Sequence, residues 1–145
     1  MAAREVKTRE NDGDVTAFLD AVEHLVRRRD ARTLCQILER VTGTAPRMWG
    51  TSIVGFGRHE YRYASGRSGV TCALGFSPRR EATTVYLLEG SAAHALSRLG
   101  PHRTGRGCLY LKDLELVDLV VLAQLLEDSW LSVTRARSAP SPSER

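Results

Sequence analysis

The segment Val70-Thr71-Cys72-Ala73-Leu74-Gly75-Phe76-Ser77 decides the fold of this chain. Val70, Cys72, Leu74 and Phe76 alternate with Thr71, Ala73, Gly75 and Ser77, the two-residue period of a β-strand whose successive side chains point to opposite faces. One face of this strand is bulky and apolar and is expected to meet helices, while the other is small. Ser65-Gly66-Arg67-Ser68-Gly69 before it and Pro78-Arg79-Arg80-Glu81 after it have turn compositions. These turns join it to two further runs that read as strands, Glu60 to Ala64 and Thr83 to Leu88, and a meander is the simplest connection.

On the N-terminal side the period becomes helical. Asp14 reads as the N-cap of a helix to about Arg29, with Val15, Phe18, Leu19, Val22, Leu25 and Val26 at helical spacing. A second helix is expected to open at Asp30, to place Leu34, Ile37, Leu38 and Val41 on one stripe, and to stop at Thr42-Gly43, which makes the pair a helical hairpin. On the C-terminal side a short helix from Ala92 to Leu99 leads to the loop Gly100 to Gly107 and a strand Cys108-Leu109-Tyr110-Leu111. From Leu116 to Leu126 only Asp118 and Gln124 are polar, so a last helix is expected to be buried on most of its circumference or to form part of a subunit interface. The fold expected is α+β, with the N-terminal hairpin and the buried C-terminal helix on one antiparallel β-sheet. Residues 1–13 read as a flexible lead, 14–131 as a single domain, and 132–145, rich in serine and proline at their end, as a disordered tail.

At 145 residues, with 42% hydrophobic and 26% charged residues, the chain has ordinary globular proportions. No stretch approaches the roughly 18 apolar residues of a spanning helix, and the start has no apolar signal core, so no membrane partner and a cytoplasmic location are expected. Cys35, Cys72 and Cys108 are odd in number and widely spaced, which suits reduced thiols. The net charge of +4 favours anionic partners, but part of it lies in terminal arginines, and on that basis nucleic acid is not an expected partner.

Four segments together carry a family resemblance. They are Met48-Trp-Gly-Thr-Ser-Ile-Val-Gly-Phe-Gly57; Tyr61-Arg-Tyr63 with Ser65-Gly-Arg67; Gly75-Phe-Ser-Pro-Arg79; and Leu99-Gly100 through Thr104-Gly105 to Cys108-Leu-Tyr110. In this order, over about Asp14 to Trp130, they resemble the YdhG-like (DUF1801) family of bacterial domains of unknown function. The resemblance implies a small α+β domain with an antiparallel sheet and brings no established reaction. Some members are described as frataxin-like iron chaperones, which makes iron handling a second expectation.

The residues themselves offer several sites. Gly100 and Gly105 have the spacing of a phosphate-binding P-loop, but Arg106 stands where lysine is needed, Gly107 where a hydroxyl is needed, and a strand is expected to follow in place of a helix. Arg79 and Arg80 on one loop and His102, Arg103 and Arg106 on another would form an anion site if the loops meet at one end of the sheet. Otherwise these residues are solvated, or pair with Glu81, Glu89 or Asp113. Trp49, Tyr61, Tyr63 and Tyr86 could wall a ligand cleft over the small-residue strand face, or simply cover that face as packing.

His24, His59, His94 and His102 and the three cysteines show no zinc spacing, so no metal or cofactor is expected. Iron handling would draw on Glu115 and Asp118, which equally suit the first turn of a helix. No histidine and carboxylate are placed to activate Cys108 or Ser77, so no catalytic residues are assigned and the protein is not read as an enzyme. The expected function is a binding module for a small anionic ligand or anionic partner. The alternatives are a frataxin-like iron chaperone and a module that self-associates through the last helix as a homo-oligomer.

Overall fold

The computed structural model describes residues 9–62, 66, 68–87, 93–105 and 107–138. Alternating runs build the sheet: β1 (Glu10–Asn11), β2 (Arg47–Trp49), β3 (Ile53–Phe56), β6 (Leu74–Pro78), β7 (Thr83–Tyr86), β9 (Cys108–Leu111) and β8 (Arg103–Gly105) lie side by side in that order. Every neighbouring pair is antiparallel. Strands β4 (His59–Arg62) and β5 (Ser68–Thr71) form a separate two-stranded hairpin. The helical elements are α1 (Val15–Asp20), α2 (Leu25–Thr42), α3 (Ala93–Leu96), a 3-10 turn (Leu114–Leu116) and α4 (Leu119–Ser138). Among the described residues no helix is long and apolar enough to cross a membrane.

Register explains the core. Val54 faces Phe76, Phe76 faces Val85, and Val85 faces Leu109, so these side chains share one face of the sheet with Met48, Phe56, Leu74 and Leu111. All of them belong to one buried cluster with Ala31, Leu34 and Leu38 of α2 and Val121, Leu122, Leu125 and Leu126 of α4. Each fully buried side chain of this size stabilises the fold by about 1.5–3 kcal/mol. The antiparallel sheet with helices on its bulky face is therefore what the period of Leu74 and Phe76 predicted.

Several boundaries differ from the sequence reading. Residues 9–13 are not a free lead: β1 pairs with the outer edge of β2, and the Glu10 carboxylate bridges Arg47 and Arg58 at 2.8 and 2.6 Å. The first two helices divide at Ala21–His24, not at Asp30, because His24 caps α2 by accepting from the Arg27 N–H while Asp14 caps α1. Two strands, β2 and β3, occupy a segment in which no strand was expected. The expected strand from Val70 to Ser77 breaks at Cys72 and Ala73, so its N-terminal part leaves the main sheet for the β4–β5 hairpin and Val70 is exposed.

That break also reverses the side on which Cys72 lies. Its side chain stands beside Gly55 and Gly75 on the face opposite Leu74 and Phe76. At the C-terminus, helix α4 continues through Ser138, beyond the boundary drawn at residue 131. Among its described side chains it is buried on one face only, for Leu119, Val120 and Leu131 remain exposed.

Candidate functional site

The turn that carries Arg79 and Arg80 is held by an arginine in the first turn of α2. Arg27 is 6% exposed and forms no ion pair among the described residues; its Nε donates to the Arg79 carbonyl at 3.1 Å, Nη1 to the Lys112 carbonyl at 2.6 Å and Nη2 to the Glu81 carbonyl at 2.6 Å. One planar fork thus ties the β6–β7 turn to the end of β9, a use of guanidinium geometry that a lysine would not reproduce. Next to it, Asp30 is fully buried. Its Oδ1 accepts from Arg29, and its Oδ2 accepts from the Leu114 N–H at 3.0 Å. Arg29 extends the network to Asp113 and Glu115.

On this frame sits a cleft of about 230 Å³ lined by His102, Arg103, Tyr110, Lys112 and Asp113, with Ala82, Pro101 and Leu116 as its apolar wall. Tyr110 and Lys112 point into it because Leu109 and Leu111, the alternate residues of β9, are buried in the core. The Arg103 guanidinium lies 5.5 Å from the centre of the Tyr110 ring, a cation–π contact across the β8–β9 pair. His102 Nδ1 is 2.7 Å from the Gly100 carbonyl, so that nitrogen carries a hydrogen and the other ring nitrogen is left for a ligand. Gly100 itself, at φ 111°, has no room for a side chain: a Cβ would fall 2.6 Å from the Leu116 carbonyl oxygen. This close approach accounts for the first glycine of the P-loop-like spacing, and the element after the loop is strand β9.

The charges of the cleft are unevenly engaged. Asp113 is held by Arg29 and accepts from the Glu115 N–H, and this backbone bond, reinforced by Arg29, keeps its carboxyl below the ordinary value. Arg103 and Lys112 form no ion pair among the described residues. The Tyr110 hydroxyl is raised above its ordinary value, chiefly by the charge and hydrogen bond of the Cys108 sulfur, against a lowering by Arg103. At neutral pH it is a neutral hydroxyl able to donate a hydrogen bond.

The residues singled out in the sequence are thus separated. His102 and Arg103 share the cleft just described. Arg79 and Arg80 instead line a second, more open cleft of about 410 Å³ with Phe18, Val22 and His24. Arg79 reaches the same outer face of the sheet, donating to the Tyr86 hydroxyl at 3.2 Å, but neither of these two clefts is lined by arginines of both loops. Trp49 is 2% exposed and packs against Gly55, where a Cβ would lie 2.4 Å from its indole, so it covers the small-residue face and has no open surface for a ligand. Tyr61 lies on β4 of the hairpin; its side chain, together with Tyr63 and Arg106, falls outside the described residues.

Lys112 and Arg27 were missed by the sequence reading. For Lys112 a signal existed, since it continues the outward phase of β9; for Arg27 none did. The acids considered for iron have structural work: Glu115 pairs with Arg29, and Asp118 accepts from the Val120 and Val121 N–H groups at the start of α4. Burial pushes the Cys35 and Cys72 thiols up to about 11, which keeps both protonated at neutral pH. No family model matches the chain, and no curated protein or solved structure is similar to it.

Proposed function

We propose that this domain binds a small anionic ligand, bearing a phosphate or carboxylate group, in the cleft of His102, Arg103, Tyr110 and Lys112. One observation carries the reading: the cleft gathers Arg103 and Lys112, which form no ion pair among the described residues, while the carboxylate that lines it is already held by Arg29. Arg103 offers a planar fork, Lys112 a mobile point charge, and Tyr110 a neutral donor, a combination suited to oxyanions. At about 230 Å³ the cleft is smaller than the usual range of about 300–1,000 Å³ for ligand pockets, which favours a compact molecule over a nucleotide. The apolar wall of Ala82, Pro101 and Leu116 would take a short carbon skeleton. Membership of the YdhG-like family is likewise a proposal, resting on the four sequence motifs, and it supplies no reaction.

The test is thermal unfolding with inorganic phosphate and with a phosphorylated three-carbon compound, against chloride at matched ionic strength. A ligand that binds only the native state raises the melting temperature by mass action. Arg103→Gln and Lys112→Gln should each remove the shift, whereas Arg135→Gln, with the same change of charge, should leave it intact. Equal loss in all three variants would reduce the effect to diffuse positive charge and end the proposal.

A further inference from the structure

A groove of about 520 Å³ runs between α2 and α4 on the opposite side of these helices from the sheet, with Ile37, Val41, Val120 and Ala123 along its floor and sides. Val120 is 69% exposed and Leu119 beside it 40%, an apolar strip on a helix whose other face supplies the core. The two helices run in the same direction. Helix α2 begins beside Leu114, just before α4, where Asp30 accepts from the Leu114 N–H. At the far end Trp130 of α4 reaches Gly57, which follows β3, and α2 leads into Arg47, paired with Gly55 of that strand.

The rims of the groove carry opposite charges. Arg40 stands on the α2 side and Glu127 on the α4 side. Neither forms an ion pair among the described residues. A surface with one sign on each wall of an apolar groove is complementary to itself. Under a two-fold axis parallel to the groove, α2 of each copy lies on α4 of the other, and Arg40 of one meets Glu127 of the second copy twice over. A membrane surface or a nucleic acid would select one sign of charge instead.

We propose that the α2–α4 groove is the interface of a two-fold symmetric dimer of this chain, with Val120 at its apolar centre and reciprocal Arg40–Glu127 pairs at its rims. This interface is independent of the anion cleft. It engages the apolar strip that the core leaves uncovered, and isologous pairing duplicates every contact.

The experiment is sedimentation equilibrium of the whole chain from about 1 μM to about 1 mM, the range in which a modest dimer dissociates. The wild-type mass should rise from one chain to two. Val120→Asp, at an exposed position, should keep the helical circular dichroism and remain monomeric throughout. Arg40→Glu and Glu127→Arg should each weaken dimerisation by at least about tenfold, since each sets like charges together at two places. Mixing these two variants in equal amounts should restore a dimer of wild-type affinity, because each chain then carries the signs that the other lacks. A wild-type chain that stays monomeric, a dimer indifferent to Val120→Asp, or a mixture no tighter than its two components overturns the proposal.

Discussion

A single buried guanidinium holds the turn after β6 and the end of β9 in register with α2. Replacing it by an apolar side chain of similar length leaves the Arg79, Glu81 and Lys112 carbonyls without their donor. Arg27→Met should therefore destabilise the fold by at least about 3 kcal/mol in urea unfolding, because a lost charged hydrogen bond alone contributes about 1.5–3 kcal/mol. Gly55→Ala tests a different kind of constraint. Its Cβ would meet the Trp49 indole at 2.4 Å and the Cys72 Cβ at 2.6 Å, both in packed surroundings, so a cost of about 1–3 kcal/mol is expected in the same assay. Asp113 sets a pH dependence. Its carboxyl titrates below the ordinary value of 3.8 in the folded chain, so its contribution is complete above that value and disappears as the pH falls through the depressed one. Asp113→Asn should flatten the acid side of a melting-temperature profile below about pH 4 and leave its slope near neutrality unchanged.

At the scale of elements, α4 has two unlike faces, and substitutions on them should separate cleanly. Leu122 is fully buried in the main cluster, and Leu122→Ala should cost about 2–5 kcal/mol. Val120 faces outward, and Val120→Ala, measured on dilute protein, should stay within about 0.5 kcal/mol of wild type. Asp118→Ala should cost about 1 kcal/mol through loss of the cap on the Val120 and Val121 N–H groups. The sequence run from Leu116 to Leu126 did not reveal these two faces, because nearly every position in it is apolar and periodicity cannot sort residues that are all alike. The break between α1 and α2 was hidden for a related reason: Val22, Leu25 and Val26 fit one continuous helix, no glycine or proline interrupts it, and the cap at His24 comes from a residue type seldom found there.

For the molecule as a whole, the central strands and their helical layer follow from local pattern, whereas the outer strands and the candidate site follow from contacts between distant segments. The alternation at Leu74 and Phe76, the stripe of Leu34 and Leu38, and the oxygen of Asp14 over its helix all act within a few residues, so the α+β class and the face meeting the core were determined by the sequence alone. The same holds for β9, whose period sends Tyr110 and Lys112 outward once Leu109 and Leu111 go inward. Only the tertiary structure decided that His102 and Arg103 share a cleft with Lys112 while Arg79 and Arg80 line another. Only it decided that Trp49 is packing and that Cys72 crosses to the far side of the sheet. The physical reason is range. Arg27 meets carbonyls 52, 54 and 85 positions away, and the Asp30 carboxylate caps an N–H 84 positions away. Contacts of that separation leave no period in the sequence and form only when the packed sheet brings their segments together.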